Sequence, residues 1–478
     1  MRFVVYLSIL CALIPLVFTR PFFGLCLYYI VSLLQPKLLC WRGDFQDAMI
    51  VGVPLVLGAI TVGVRRHVVE PRVDTRTGQV VGAEWRLTRS RMFEFAWPLG
   101  ALMLLMIYLS FNRLMSRFSL ESSSESFRAL WKVVLVTALL TGMATDYRRF
   151  RILYAVVALS VAFWAIKGGI KVLAIGPHQV YGKTYDNNLF ALTSVMVLPM
   201  VFYHAMTVRR ARWRYALFAA SALISLAIIC SQSRAGFVAL AFVTVCMAWS
   251  SRYRFRVVGA VAMLGLCIML VSRSEIEQRV QSIIAYQSDQ SARSRLGSWN
   301  TAIAVWSANP VFGVGFNQYQ PAARAMFGGK RDAHNIFLQN LAELGAVGHP
   351  IWLACVIGVP LSMYRFMIRA RRLPAQYRWA YYWARGLLLG LVAFAIHGFF
   401  HNEEYLELMV TMVGLTVALR IMTRRVLVQD GLERIESART ATAPAEQNRP
   451  VLAPQTNGPQ GSSRPVIPFG ARPLTWGR

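Results

Sequence analysis

Residues 152–173 of the chain read ILYAVVALSVAFWAIKGGIKVL, and the segment immediately before them is Tyr147-Arg148-Arg149-Phe150-Arg151. An apolar run of about 20 residues is long enough to cross the hydrocarbon core of a bilayer as an α-helix. A cluster of arginines beside such a run is typical of a connection that stays in the cytoplasm. The same combination of apolar run and basic turn recurs along the chain, which predicts a protein that crosses the membrane many times.

The composition agrees with this interpretation. The chain has 478 residues, of which 56% are hydrophobic and 15% charged, with a mean hydropathy of +0.45. Soluble domains have about 25% charged residues. We therefore expect an all-α polytopic membrane protein with 12–13 transmembrane helices. The candidate spans are 3–18, 21–40, 48–64, 93–110, 129–145, 152–173, 189–207, 214–231, 235–250, 257–272, 347–367, 386–400 and 404–421.

Four regions are expected from the order of the spans. They are an N-terminal transmembrane bundle (1–272), one large extracytoplasmic loop (273–346), C-terminal transmembrane helices (347–425) and a disordered cytoplasmic tail (426–478). The tail is rich in Pro, Gly, Ala and Gln, a composition that cannot bury enough apolar surface to become ordered.

The positive charge indicates orientation rather than nucleic-acid binding. The formal charge is +29, and most arginines lie in short connections between apolar runs. Placing those connections in the cytoplasm satisfies the positive-inside rule for every span from residue 48 onward. Residues 273–346 then lie outside, which in a Gram-negative host means the periplasmic face of the inner membrane.

Arg234 is the first candidate for chemistry on the outer face. It follows Ser231-Gln232-Ser233 between two spans whose other ends are strongly basic. An arginine at that depth is costly unless it is paired or faces a polar cavity, which favours a function. The alternative is an arginine whose charged end extends to the headgroup level.

The external segment adds Arg293 and Arg295, with few acidic residues near them. The planar guanidinium suits bidentate contact with phosphate, so an anionic ligand such as a lipid-linked pyrophosphate is expected. The alternative is a basic loop that lies on anionic lipid headgroups. Lys167, near the outer end of its span, could also meet phosphate or could simply extend to the headgroup region.

His334 is the best placed of the 7 histidines to act as a general base. It precedes Asn335-Ile336-Phe337-Leu338-Gln339, where a helix is expected to begin, and a neutral imidazole is favoured beside a helix N-terminus. A histidine that only forms hydrogen bonds is the alternative. The isolated Gly313-Val314-Gly315 is weak evidence for a phosphate-binding turn.

Four more polar residues lie at outer connections and are candidates for acceptor binding or for a structural role. Asp186 and Asn187 open a span, where Asp186 fits an N-cap. His401 and Glu403 belong to a connection without the ligand spacing of a metal site. No nucleotide-binding, metal-protease or serine-hydrolase motif is present, so neither a metal nor a cofactor is expected.

The order of these motifs resembles the O-antigen ligase and polymerase superfamily of membrane glycosyltransferases (WaaL-type and Wzy-type). The resemblance covers roughly residues 190–365. It depends on the following segments: Ser233-Arg234-Ala235-Gly236, Ser294-Arg295 with Trp299, Asn309-Pro310 to Gly313-Val314-Gly315-Phe316, and Ala333-His334-Asn335 to Glu343-Leu344-Gly345.

The N-terminal half resembles a narrower group, the O-glycosylation ligases associated with exosortase A systems. This likeness lies in Thr19-Arg20-Pro21-Phe22, Leu34-Gln35-Pro36, Lys167-Gly168-Gly169 and Asp186-Asn187-Asn188. The chain departs from that group at His334-Asn335, where it is closer to the superfamily as a whole.

The resemblance implies an enzyme and assigns roles to three residues. The family arginines that bind the pyrophosphate of an undecaprenyl-diphosphate-linked glycan correspond to Arg234 and Arg295. The family's catalytic histidine corresponds to His334. Transfer in such enzymes is expected to need no metal and to invert the anomeric centre.

Several acceptors and two other functional classes stay open at this point. The acceptor could be another lipid-linked glycan (polymerase), lipid A core (ligase) or a protein hydroxyl (oligosaccharyltransferase), and the polymerase is ranked first. A transporter or flippase for lipid-linked sugars is less favoured, because the unusual charges cluster near one face and the two halves differ. A non-catalytic partner in an envelope polysaccharide assembly is the remaining alternative.

Overall fold

The computed structural model of the chain describes residues 2–40, 47–62, 64–73, 80–90, 96–116, 120–144, 146–176, 186–249, 259, 290–328 and 332–447. For residues 64–73, 80–90, 120–122, 290–294 and 433–447 it describes the backbone alone.

The described chain is almost entirely helical. The N-terminal half contains α1 (Arg2–Thr19), α2 (Pro21–Tyr29), α3 (Asp47–Thr61), α4 (Trp97–Met115), α5 (Leu120–Met143), α6 (Tyr147–Ile175), α7 (Asn187–Ala205), α8 (Ala211–Cys230) and α9 (Arg234–Trp249). The C-terminal half contains α10 (Gln290–Ala308), α11 (Tyr319–Phe327), α12 (Ile336–Leu353), α13 (Val359–Arg371), α14 (Arg378–Gly398) and α15 (Glu407–Gln447). Short π-helical or 3₁₀ segments cover Ile30–Leu34, Pro36–Cys40, Ala354–Gly358 and Ala375–Tyr377.

Eight of the described helices are both long and apolar enough to cross a membrane. Three shorter apolar helices accompany them, namely Pro21–Leu34, Asp47–Thr61 and Arg234–Trp249. The expectation of an all-α, multi-pass membrane protein is therefore confirmed. The expected span 257–272 lies outside the described residues apart from Gly259, so the total of 12–13 and the proposed division into four regions stay predictions.

A two-stranded antiparallel hairpin, which the sequence analysis did not anticipate, joins α3 to α4. Strand β1 (Val64–Val73) pairs with β2 (Val80–Ser90), with a bulge between Arg72 and Val73. Both strands are rich in β-branched residues, which favour extended backbone. The hairpin occupies the arginine-rich connection between the expected spans 48–64 and 93–110.

Helix α7 is the centre of the bundle, because nearly all of its side chains from Phe190 to Ala205 are buried. Helices α6, α8, α9 and α14 pack around it. The contact with α14 is close enough that a Cβ at Gly390 would overlap the carbonyl oxygen of Met196. Small residues allow such close backbone approach between apolar helices, where hydrophobic forces alone give little attraction.

Helix α15 is longer than expected. It continues to Gln447, so residues 426–447, which we had placed in a disordered tail, are helical. Between Arg424 and Arg439 the sequence alternates acidic and basic residues, as in Gln429-Asp430-Gly431-Leu432-Glu433-Arg434, and charges of opposite sign at helical spacing stabilise an exposed helix. The Tyr377 hydroxyl also donates a hydrogen bond to the Asp430 carboxylate at 2.5 Å. Residues 448–478 lie outside the described part of the chain.

Candidate active site

His334 lies one residue before the N-cap of α12. The Asn335 side chain caps the helix by accepting hydrogen bonds from the backbone amides of Phe337 and Leu338, at 2.9 and 3.2 Å. His334 itself has a left-handed backbone with φ of 49° and a half-buried side chain. A histidine in this sparsely populated conformation is held there by its surroundings, and such positions are enriched at functional sites.

Residues 399–406, which connect α14 to α15 and are called here the histidine connection, bring His401 beside His334. His401 is buried, with only 4% of its surface exposed, and its ring lies edge-on to His397 at a centroid distance of 5.5 Å. Burial lowers the pKa of His401, the Asp186 carboxylate opposes this change, and the imidazole of His334 adds to it. The Nε2 atom of His401 has no hydrogen-bond partner among the described residues. His401 therefore lies within electrostatic reach of both His334 and Asp186.

Asp186 has two roles in this arrangement. Its carboxylate caps α7 by accepting from the amides of Asn188 and Leu189, both at 2.7 Å, as the sequence predicted. The same carboxylate also lies within electrostatic reach of His401 and Glu403.

The start of α7 is joined directly to the segment that contains Arg234. The Ser233 hydroxyl donates to the Asn188 side-chain oxygen at 2.8 Å, and the Asn187 amide donates to the Ser231 carbonyl at 3.4 Å. Arg234 follows as the first residue of α9, with an exposed side chain. The hydrogen bonds therefore place Arg234 at the same end of the bundle as Asp186.

Arg295 reaches the site from α10. Its guanidinium carbon lies 5.9 Å from the ring centroid of Phe400, the residue before His401. A guanidinium over an aromatic face is a favourable contact that also orients the planar group. Seven of the predicted residues therefore lie at this end of the molecule, namely Arg295, Arg234, Asp186, Asn187, His401, Glu403 and His334.

Two other predicted ligands of the donor are not brought into this group by any described contact. The ammonium of Lys167 lies 4.9 Å from the ring centroid of Trp164, and the lysine side chain is exposed. This geometry agrees with the alternative in which Lys167 extends to the headgroup region. The side chain of Arg293 lies outside the described part of the structure.

A buried polar network that sequence reasoning missed lies behind the histidine connection. The Gln339 amide donates to both oxygens of the Glu404 carboxyl at 3.1 and 3.3 Å. The Asn340 amide donates to the Tyr405 hydroxyl at 3.1 Å, and the Trp352 indole donates to the Glu404 carbonyl at 3.2 Å. Helix α12 therefore holds the histidine connection through side chains.

Glu343 extends this network to the preceding loop. Its carboxylate accepts hydrogen bonds from the backbone amides of Asn317 at 2.8 Å and Tyr319 at 3.3 Å. The carboxyl groups of Glu343 and Glu404 are neighbours in this network, and both are almost completely buried. Burial, and then the Glu343 carboxylate, raise the pKa of Glu404 well above its ordinary value.

The Gly-rich segment 309–317, called here the glycine turn, is a structural element. Its amides are already used: Gly313 donates to the Asn309 carbonyl, Val314 to that of Ala342 and Gly315 to that of Glu343, each at 3.0 Å. These donors are therefore not available to cradle a phosphate.

Helix α12 changes direction at Gly345, which has a φ of 65°, and the glycine turn packs into this kink. A Cβ at Gly345 would overlap the Val311 carbonyl oxygen. Helix α4 contacts both the kink of α12 and the glycine turn through hydrogen bonds. The Tyr108 hydroxyl donates to the Leu344 carbonyl, and the Asn112 amide to the Phe312 carbonyl, both at 2.6 Å.

One signal in the sequence could have revealed part of the network. Gln339, Asn340 and Glu343 are polar residues inside an otherwise apolar helix, and such residues in a membrane protein usually face a partner. Their partners Glu404 and Tyr405 lie 61 to 65 positions away, and without a fold nothing in the sequence relates the two segments. Among the described residues, no group of three or more His, Cys, Asp or Glu side chains is arranged to hold a metal ion.

Comparison with known proteins gives one match. Residues 219–353 match the family model Wzy_C, described as O-antigen ligase. No curated protein matches the chain. The matched segment extends from α8 through α12, and it contains Arg234, Arg295 and His334. The resemblance of this multi-pass membrane protein to the O-antigen ligase and polymerase superfamily is thus confirmed over residues 219–353.

Proposed function

We propose that this protein transfers a glycan from undecaprenyl diphosphate to a hydroxyl acceptor on the periplasmic face of the inner membrane. The observation that carries the proposal is the grouping of His334, His401 and Asp186 at one end of the bundle, with Arg295 adjoining the same connection. The group thus contains a base (His334), a carboxylate that can compensate its positive charge (Asp186) and a cation for the diphosphate (Arg295).

His334 is the general base in this proposal. The acceptor hydroxyl oxygen attacks the anomeric carbon while its proton passes to the His334 imidazole. The bond between the anomeric carbon and the diphosphate oxygen breaks, and undecaprenyl diphosphate leaves with the electron pair. Attack opposite the leaving group inverts the anomeric centre. A positioned base contributes about 10²–10⁴-fold to such a step.

His401 and Asp186 act as positioning groups for His334. A buried His401 with a lowered pKa remains neutral beside His334, so it does not add a second positive charge there. Asp186 is fixed by its hydrogen bonds at the start of α7 and supplies a compensating negative charge.

Arg234 and Arg295 hold the diphosphate. Negative charge grows on the leaving diphosphate in the transition state, and preorganised cations stabilise it most strongly in a site that excludes water. Arg295 is oriented by Phe400, and Arg234 begins α9 beside the hydrogen bond between Ser233 and Asn188. The long polyprenyl chain, held in the bilayer, would position the anomeric carbon before reaction.

The acceptor we favour is another lipid-linked glycan, so that the product is a polysaccharide. A strain lacking the gene and complemented with wild type or His334→Ala tests this assignment. Loss of long polymer with single repeat units remaining is expected. Loss of lipid A core capping alone would instead identify a ligase, and loss of protein glycans alone an oligosaccharyltransferase. Full complementation by His334→Ala would overturn the proposed enzyme.

A second experiment tests the site in the purified protein. In a single turnover with lipid-linked glycan, an enzyme releases free undecaprenyl diphosphate, whereas a flippase does not. Arg295→Lys keeps the charge but removes the bidentate fork, so we expect donor use to fall about tenfold or more. Arg324→Lys is the matched control, because Arg324 is an exposed arginine of the same loop in α11. Equal rates for the two variants would remove Arg295 from the site.

A further inference from the structure

A cavity of about 930 Å³ opens at the end of the bundle opposite His334. It lies where α7 ends, beside the starts of α6, α8 and α14. Helix α7 has 19 residues, which corresponds to a length of about 28 Å, and Asp186 lies at its other end. The cavity is therefore separate from the candidate active site.

The charges around this cavity are predominantly positive. Arg151, Arg209 and Arg210 line it, and all three side chains are exposed. Asp430 is the only acidic side chain among the described residues of its lining, and its carboxylate already accepts a hydrogen bond from Tyr377. The arginines thus surround a space with little negative charge of its own.

Aromatic rings form the walls of the cavity. Tyr147, Trp213 and Trp379 line it, and the guanidinium of Arg151 lies 5.8 Å from the Tyr147 ring centroid. Aromatic faces hold a guanidinium in a fixed plane while leaving its N–H groups free to point elsewhere.

A buried histidine supplies a further polar group. His204 lines the cavity and is only 8% exposed. Its Nδ1 atom accepts a hydrogen bond from the Trp383 indole at 3.2 Å. The indole nitrogen is always a donor, so in the neutral ring the proton of His204 is on Nε2. His204 therefore offers a fixed hydrogen-bond donor.

We propose that this cavity binds a phosphate-bearing anion, either the headgroup of an anionic phospholipid or a soluble phosphate compound. Arginines at basic connections orient the protein in the membrane. That role does not require a concave site with aromatic walls and a buried donor of fixed tautomer. Three guanidinium groups and an imidazole N–H match the several acceptor oxygens of a phosphate.

Native mass spectrometry of the full-length protein in detergent tests the proposal. The probes are a phosphatidylglycerol, a phosphatidylcholine of the same acyl chains, and inorganic pyrophosphate. The test variant is Arg209→Gln with Arg210→Gln. The matched control is Arg372→Gln with Arg424→Gln, which removes the same charge from exposed arginines that do not line the cavity.

We expect one of the two anionic probes to bind the wild-type protein and to bind the test variant about tenfold or more weakly, because hydrogen bonds to charged groups are lost. The control variant should bind as the wild type does. Binding of phosphatidylglycerol would identify a lipid site, and binding of pyrophosphate alone a soluble ligand. No binding of either anion, or equal weakening in both variants, would overturn the proposal. Neither result bears on the proposed transfer reaction, since none of these arginines belongs to the candidate active site.

Discussion

The glycine turn and the histidine connection both pack against α12, but they are held in different ways. The glycine turn is fixed by backbone amides that donate to backbone carbonyls. The histidine connection is held by side chains, through Gln339, Asn340 and Trp352. It also leaves a buried imidazole nitrogen of His401 without a partner among the described residues. The comparison indicates that the first segment is a support, and the second is the segment that we propose to act in glycan transfer.

The largest effect on activity is expected at His334, which lies within electrostatic reach of His401 in the histidine connection. His334→Ala should lower the single-turnover transfer rate by about 10²–10⁴-fold, because the general base is removed. Binding of the lipid-linked donor should persist, since the arginines remain. Rapid quench with labelled donor measures the rate, and a filter-binding assay measures donor affinity. An unchanged transfer rate would contradict the proposed role of His334.

A substitution at the contact between the glycine turn and α12 should change the stability of the protein rather than its transfer rate. Gly345→Ala places a side chain at a φ of 65° and against the Val311 carbonyl. Backbone strain alone costs about 1–3 kcal/mol, and the overlap adds to it. Thermal unfolding in detergent should therefore occur at a clearly lower temperature.

Gly297→Ala is the matched control for that change. Gly297 lies inside α10, and beyond its chain neighbours and the nearby backbone of its own helix, no described atom lies within 4 Å of the position that a Cβ would take. Alanine favours a helix over glycine by about 1 kcal/mol, so this variant should be slightly more stable than the wild type. If both substitutions have the same effect, the packing of the turn against the α12 kink is not what stabilises this region.

Substitution of His401 should have an intermediate effect on the transfer rate and should change the pH dependence of the unfolding temperature. His401→Gln should lower the transfer rate by up to about 10²-fold through misplacement of His334, with donor affinity retained. Because the pKa of His401 is lowered in the folded protein, its contribution to stability is present above pH 6.5 and is lost as the pH falls below that value. The decrease in unfolding temperature on acidification should therefore be smaller in His401→Gln. A purely local packing role would change stability equally at all pH values.

The smallest effect is expected from Glu404→Gln. The raised pKa of Glu404 means that the folded protein holds a proton that the unfolded chain releases above about pH 4.3. Stability should therefore fall as the pH rises from that value toward the pKa of the folded state. Glutamine resembles the protonated acid, so the variant should lose less stability between pH 5 and pH 9 than the wild type. A parallel pH dependence in both proteins would show that Glu404 does not hold this proton in the folded protein.

The sequence predicted most of the helices because apolar length and arginine position are local properties. It also predicted the N-cap at Asp186 and the helix that begins after His334, both from short-range chemistry. It did not predict the β1–β2 hairpin, since a basic connection of mixed residues has no strong periodicity. It also did not predict that α15 extends to Gln447, because the Pro- and Gly-rich composition near the C-terminus was taken to represent all of residues 426–478.

The candidate site was predictable only one residue at a time. Arg234, Arg295 and His334 were named from their motifs, yet nothing in the sequence related them to His401 or separated them from Lys167. The contact of Arg295 with Phe400 and the pair formed by Glu343 and Glu404 depend on tertiary packing between distant segments. Such contacts have no local signal, and they require the fold to be known.

The length of α15 has a practical consequence for imaging. Its 41 residues correspond to about 60 Å of helix, which is roughly twice the thickness of the hydrocarbon core of a bilayer. The span expected from the sequence ends at residue 421, so more than half of α15 lies beyond it. A rigid protein fused in continuous helical register near Gln447 would stand clear of the micelle and serve as a fiducial for aligning particles in electron cryomicroscopy.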